Sequence, residues 1–164
     1  MSKITNKNEV TYQEALTLAR EKYLFQIHET WLHIQQLVRG FSYVGLLITT
    51  LFGLAAYILF SASMTRFIFM SAAMGSLVTA SVGINIATRL TERKSVPYVG
   101  ALLFLAVVIA SLLAGFIKGK EFGVTNLWPP LASSLYSSIM IGILWRLRAT
   151  ALEFKKIEAL LRSA

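Results

Sequence analysis

Long uncharged apolar stretches alternate along the chain with short segments that hold nearly all of its charges. Each stretch is close to the ~20 apolar residues that a helix needs to cross a bilayer. Four such stretches within 164 residues leave too little polar surface for a soluble helical bundle. The pattern therefore favours four membrane-spanning helices, which we place at residues 41–62, 67–88, 98–117 and 127–145.

The segments on either side of these spans have the spacing of amphipathic helices. In residues 1–40, apolar side chains recur every three or four positions from Tyr12 onwards, which is typical of a helix with one apolar face. "TYQE" at residues 11–14 has the form of a capping box, so we predict that this helix begins at Thr11. Residues 146–164 show the same spacing, which predicts a helical continuation of the fourth span.

These patterns define the predicted fold class and organisation. We expect an all-α integral membrane protein with a four-helix transmembrane bundle in residues 41–145. An N-terminal amphipathic cytoplasmic helix (residues 1–40) precedes the bundle, and a cytoplasmic helical tail (residues 146–164) follows it.

The charges predict the orientation. Apolar residues make up 55% of the chain and charged residues 15%, below the ~25% of an average soluble domain. Thirteen of the sixteen basic residues lie before the first span, between the second and third, or after the fourth. The positive-inside rule therefore places both termini in the cytoplasm, with the chain in the inner membrane. Basic residues beside the spans would meet anionic lipid headgroups, so the lipid bilayer as partner accounts for the net charge of +8. We therefore expect that the protein does not bind nucleic acid.

Small residues recur at four-residue spacing within the first three spans. This spacing lets helix backbones approach closely, so it predicts helix–helix contacts. The predicted packing positions are Gly45, Thr49, Gly53, Gly75, Thr79, Gly83, Ala106, Ala110 and Ala114.

Polar side chains also lie within the spans, and they have two interpretations. They either form hydrogen bonds between packed helices, which we favour, or line a pore. These residues are Ser81, Asn85, Ser133, Ser134, Ser137 and Ser138. On the second span the small face and the polar face point to different sides, which predicts that this span is the most buried. We expect Asn85 either to bond across helices or to face a pore.

The sequence holds little that points to catalysis. "HETWLH" resembles a zinc-protease motif, but His28 and His33 are five residues apart, about 140° around a helix, and cannot bind one metal ion. The chain has no cysteine and no aspartate, and its eight glutamates lie outside the spans. Because ion-coupled transporters usually keep a titratable group at membrane depth, that class is disfavoured. We expect no enzyme activity, no catalytic residue, no metal site and no cofactor.

Two functional hypotheses remain. The first is a membrane anchor or assembly subunit that forms a homo-oligomer or a hetero-oligomeric assembly and docks a cytoplasmic protein partner. Its docking face would be the apolar side of the N-terminal helix, formed by Leu16, Tyr23, Ile27, Trp31 and Ile34. The second is an oligomeric pore or channel, including a membrane-permeabilising effector. For the amphipathic helices themselves, the alternative to protein contacts is that they lie flat on the headgroups.

Overall fold

In the part of the chain that the computed structural model describes, there are four α-helices joined by short connections: α1 (Ser2–Ile58), α2 (Ser63–Thr91), α3 (Tyr98–Glu121) and α4 (Trp128–Ser163). The structure describes residues 2–58, 63–92, 94–125 and 127–163. Side-chain surroundings are described for these ranges except residues 2–13, 16, 27, 63, 157, 158 and 160–163. Within these ranges the regular structure is all helical, which confirms the predicted all-α class.

The ends of α1 and α4 test two of the predicted boundaries. The helix α1 begins at Ser2, so the predicted start at Thr11 is wrong. No glycine or proline occurs before Gly40, so nothing in the chain interrupts a helix there. The helix α4 continues through the tail to Ser163, which confirms the predicted extension of the fourth helix. The predicted end of the first span, at residues 59–62, lies outside the described residues.

Three of the helices are long and apolar enough to cross a membrane, by length and composition. These segments are Thr17–Ile58, Met64–Thr91 and Tyr98–Glu121. The helix α4 is not among them, because two prolines and four serines in its first half lower its hydropathy. The bundle therefore contains three helices of membrane-spanning character, and the fourth span stays a prediction.

The chain divides into two compact units, residues 1–34 and residues 35–164. The described part of the first unit, residues 2–34, belongs to α1. The second unit contains the rest of α1 with α2, α3 and α4, and α2, α3 and α4 contact one another. In α2, 50% of the most apolar window is buried, against 22% in α1 and 11% in α3. Among these three helices, α2 is therefore the most enclosed, as expected for the second span.

Local sequence explains how α3 ends and α4 begins. The amide of Gly123 donates to Lys120 O (3.1 Å) and that of Val124 to Gly119 O (3.0 Å). This Schellman pattern needs a left-handed residue, and Gly123 has φ of 71°. Pro129 and Pro130 occupy the first turn of α4, where their missing N–H groups cost nothing.

Aromatic side chains close one end of the second unit. The rings of Phe52, Phe69 and Trp128 meet edge to face, with centroids 5.2 to 6.1 Å apart. They join α1, α2 and α4 near the end of α1 and the beginnings of α2 and α4. This is the end that the charge pattern predicts to face outwards.

Candidate functional site

Four buried hydroxyl groups join α2 to α4. The Oγ atoms of Ser76 and Ser133 are 2.8 Å apart, and Thr79 Oγ1 lies 2.8 Å from Ser137 Oγ. All four residues are 0% exposed. We call this set the hydroxyl seam. The serine stripe that the sequence places in the fourth helix thus meets α2 along its buried side.

The hydrogen bonds of the hydroxyl seam have a definite direction at one pair. Ser133 Oγ donates to Ala72 O (2.9 Å), which uses its single proton. Ser76 must therefore be the donor in the bond between Ser76 and Ser133. At the second pair, Thr79 and Ser137 also reach the carbonyls of Gly75 and Ser133 on their own helices, each at 2.9 Å. Every buried polar side-chain atom in the described part of the chain has a partner.

Gly45 brings α1 against α4. A Cβ atom at Gly45 would overlap the Tyr136 hydroxyl and ring. The Tyr136 hydroxyl donates to Phe41 O (3.1 Å), and the two rings stack with centroids 5.0 Å apart. The missing side chain of Gly45 therefore makes room for a tyrosine that ties the two helices together.

Gly75 and Gly83 bring α2 against all three neighbours. A Cβ atom at Gly75 would lie 2.9 Å from Leu112 Cδ1 on α3 and 3.2 Å from Ser133 Oγ on α4. A Cβ atom at Gly83 would overlap Ser42 Oγ on α1 and lie 2.8 Å from Met140 Cε on α4. The predicted small face of α2 thus contacts the neighbouring helices at both Gly75 and Gly83.

Thr49 adds a polar contact between α1 and α2. Its Oγ1 lies 2.9 Å from Gly45 O on its own helix and 3.3 Å from Ala73 O on α2. Since a hydroxyl has one proton, Thr49 donates to one of these carbonyls at a time. The predicted packing position of Thr49 therefore lies at a helix contact.

Other predicted packing positions do not lie at contacts within the chain. A Cβ atom at Gly53 would have no atom within 4 Å apart from its own helix. Ala106, Ala110 and Ala114 form an exposed side of α3. In α4, Ser134 is buried and Ser138 is exposed, and both donate to carbonyls of their own helix, at 2.9 Å and 2.8 Å.

Ser81 and Asn85 point away from the hydroxyl seam and are exposed. Ser81 Oγ donates to Leu77 O, and Asn85 Oδ1 accepts from Arg89 Nε at 3.0 Å, so both of these bonds stay within α2. The two residues line two adjoining open depressions, one between α2 and α3 and one formed by α2 and the connection that follows it. We call the two depressions together the α2–α3 groove. Asn85 thus lies at a surface groove rather than in a bond across helices.

The first unit carries large apolar side chains on its surface. Of the predicted docking face, Tyr23 is exposed, while Trp31 and Ile34 are partly exposed. Leu16 and Ile27 lie outside the described side chains. Apolar exposure on this segment is wider than predicted, since it also includes Leu18, Leu24, Phe25 and Leu32.

Three of these additional residues form a second apolar face. Leu18, Phe25 and Leu32 are 68%, 62% and 42% exposed, and they lie seven residues apart. At 100° per residue they lie roughly 180° to 220° around the helix from Tyr23. The seven-residue spacing of these three residues is visible in the sequence, but they lie outside the set of positions that predicts the first apolar face. Because exposed Leu24 lies about 100° from Tyr23, the segment presents apolar surface over more than half of its circumference, including two opposite sides.

The described part of the chain contains no group of three or more His, Cys, Asp or Glu side chains that could hold a metal ion. The hydroxyl seam itself holds only neutral hydroxyl groups, which pack and bond helices. Comparison of the chain with protein-family models, with curated proteins and with solved structures found no match.

Proposed function

We propose that the protein is a non-enzymatic membrane anchor or assembly subunit that docks a protein partner through the first unit. It would lie in the inner membrane with both termini in the cytoplasm, and it would work as part of a homo- or hetero-oligomeric assembly. The observation that carries this proposal is the pair of apolar faces on residues 18–34.

Two opposite apolar faces favour protein contacts over a helix that lies flat on a membrane. A helix on the bilayer surface buries one apolar face and turns a charged face to water. Here the faces at Tyr23 and at Phe25 point in opposite directions, so one planar surface covers only one of them. Partner helices on both sides, or one partner that wraps around the segment, cover both.

The bundle supports an anchoring role. Its buried polar groups are bonded between helices or within them, as in the hydroxyl seam, and they hold α2 to α4. Of the serine stripe that the pore hypothesis offered as lining residues, Ser133, Ser134 and Ser137 are buried, while Ser138 is exposed. The anchor is therefore the better-supported proposal, and leakage of dye from liposomes that contain the full chain would count against it.

Photo-cross-linking in native membranes tests the docking proposal. Benzoylphenylalanine would replace Leu18, Phe25 or Leu32 in the full chain, one position at a time. Because these positions lie on the second apolar face, we expect protein adducts at all three, identified by mass spectrometry. A matched control replaces Gln26, which is exposed and lies on a polar side of the same helix.

The chemical nature of the adducts separates the outcomes. Protein adducts at the three apolar positions, with few at Gln26, support docking. Lipid adducts would show that the helix lies on the headgroups, and an absence of adducts would show that the face is unoccupied. Both of these results would contradict the proposal. Adducts of equal yield at Gln26 would also contradict it, because the apolar faces would then have no preferred partner.

A further inference from the structure

The α2–α3 groove has an apolar half and a polar half that meet at Ser81 and Asn85. The apolar half has a volume of about 560 Å³ and runs between Val82 and Ile86 on α2 and Gly100 and Phe104 on α3. The polar half has a volume of about 520 Å³. Besides Ser81 and Asn85, it is lined by Ile84, Thr88, Arg89, Glu92 and Lys94, all on α2 or the connection that follows it. Both volumes are in the range of small-molecule sites, and their junction suits an amphipathic ligand.

Arg89 is the main cation of the polar half. Its Nε donates to Asn85 Oδ1 at 3.0 Å, which orients the guanidinium group at the junction. A guanidinium group has five N–H donors, so the four on its terminal nitrogens extend beyond this bond. Their planar fork matches the oxygens of a phosphate group.

Lys94 adds a second cation to the polar half. Its Nζ lies 2.5 Å from Glu92 Oε2, and the two side chains are 65% and 47% exposed. An ion pair as exposed as this holds its partners only weakly, so an anion can compete for the lysine. With Arg89, Lys94 and Glu92 as its charged residues, the lining has a net positive charge.

The predicted end of the second span places the groove at the depth where lipid headgroups meet acyl chains. Asn85 is three residues before the predicted end of the second span at Thr88, which is about 4.5 Å along the helix. An exposed amide at this depth is costly beside acyl chains alone. The apolar half extends from there towards the middle of α2, past Val82 to Leu77.

We propose that the α2–α3 groove binds one anionic phospholipid. Its phosphate would meet Arg89, Asn85 and Lys94, and one acyl chain would lie along the apolar half. A single molecule then satisfies both halves, and charge complementarity favours an anionic headgroup. Basic pockets between helices on the cytoplasmic side are known to bind anionic headgroups, and the charge pattern predicts that side here. The inference rests on the proposed membrane location of these helices.

Native mass spectrometry of the full chain in detergent tests this site with phosphatidylglycerol as the probe. Arg89→Gln removes the guanidinium group, and we expect phosphatidylglycerol to bind roughly tenfold more weakly. Arg39→Gln is the matched control, since Arg39 is exposed, is predicted to lie on the same side of the membrane, and does not line the groove. Arg89→Lys should give an intermediate loss, because it keeps the charge but loses the fork.

The apolar half is tested by filling it. A Cβ atom at Gly100 would have no contact within 4 Å, so Gly100→Leu fits the fold while it occupies the groove. We expect this variant to weaken phosphatidylglycerol binding severalfold. Helix content by circular dichroism should remain that of the parent chain, which separates loss of the site from loss of the fold.

Several outcomes would overturn the proposal. Equal losses in Arg89→Gln and Arg39→Gln would show general charge attraction instead of a site. Equal binding of phosphatidylcholine would show that the cations do not select the headgroup. Equal binding of inorganic phosphate, without an effect of Gly100→Leu, would show an anion site that takes no acyl chain.

The cross-linking test of the docking proposal is independent of the lipid-binding test. Its cross-links form at Leu18, Phe25 and Leu32 in the first unit, so they do not depend on Arg89. Failure of the lipid site with intact cross-links would therefore leave the anchor proposal in place. Lipid binding without protein cross-links would overturn docking and leave the lipid site in place.

Discussion

Single glycines set how closely the helices of the second unit approach, and Gly45 offers the clearest test. Gly45→Ala puts a methyl group where the Tyr136 hydroxyl and ring lie. The ring must move, which weakens its bond to Phe41 O and its stacking on Phe41. We expect a loss of about 1–3 kcal/mol in the free energy of unfolding, measured in detergent by titration with dodecyl sulfate.

Gly53→Ala is the matched control for Gly45→Ala. Gly53 lies on the same helix in open space, so the added methyl group meets nothing. This change should be neutral or should stabilise by up to about 1 kcal/mol, because alanine favours the helix. A second check combines Gly45→Ala with Tyr136→Phe, which removes the overlapping hydroxyl and should recover part of the loss. Equal stability of the two glycine variants would contradict the contact at Tyr136.

The hydroxyl seam predicts a smaller effect at Ser133. Ser133→Ala removes the acceptor for Ser76 and the donor to Ala72 O. Ser76 can then turn to Ala72 O, the carbonyl four residues before it, so part of the loss is recovered. Bonds of this kind between membrane helices average about 0.6 kcal/mol, with a maximum near 1.7 kcal/mol. We expect the unfolding free energy of Ser133→Ala to fall within that range.

Ser138→Ala is the control for this prediction. Ser138 donates within α4 and is exposed, so its loss should change the unfolding free energy by less than about 0.5 kcal/mol. A double-mutant cycle of Ser76→Ala with Ser133→Ala measures their coupling directly. If the coupling is zero, the seam does not join the two helices in the way that the distances indicate.

The helices differ in how much of their packing the sequence predicts. In α2, small residues occupy one side and polar residues another, so the spacing predicts which side meets the neighbours, and Gly75 and Gly83 lie there. In α3 nearly every residue is apolar, so the same spacing does not say which side faces inward. Its alanine row, at Ala106 and Ala110, is exposed, while Leu105 and Leu112 are buried.

In α4, hydropathy alone does not predict which residues are buried. Its serines help to keep α4 below the hydropathy of a membrane-spanning segment, which the other three helices reach, yet Ser133 and Ser137 are fully buried. A scale that counts each polar group as a cost does not include the partners that Ser76 and Thr79 supply. Pairing between helices is a tertiary property. The serine stripe alone was therefore compatible both with helix packing and with the lining of a pore. In the first unit, the second apolar face repeats every seven residues and lies outside the three- and four-residue spacing that predicts the first face.

At the scale of the whole molecule, the two units divide the proposed work between a membrane bundle and a docking helix. This division requires that the connections lie on alternate sides of the membrane. The charge pattern predicts that the connection between α2 and α3 is cytoplasmic, because basic residues cluster there and at both ends of the chain. The connection between α3 and α4 should then face outwards.

The absence of cysteine from the sequence makes this topology directly measurable. Ser95→Cys, Thr125→Cys and Ala159→Cys each place one thiol at an exposed position: between α2 and α3, between α3 and α4, and near the end of α4. A maleimide that does not cross membranes should label Thr125→Cys in intact cells that express the protein. It should label Ser95→Cys and Ala159→Cys only after the cells are opened.

The two connections together test whether α3 crosses the membrane, and the tail tests α4. Labelling of Ser95→Cys and Thr125→Cys from the same side would contradict a membrane crossing by α3. Labelling of Ser95→Cys and Ala159→Cys in intact cells, with Thr125→Cys labelled only in opened cells, would contradict the predicted orientation. Ala159→Cys tests α4, whose hydropathy is below that of a membrane-spanning segment although its side chains pair with those of α2. If the seam makes those serines acceptable within a membrane, Ala159→Cys is labelled together with Ser95→Cys. If α4 does not cross, Ala159→Cys is labelled together with Thr125→Cys, and the tail cannot share a side with the docking helix.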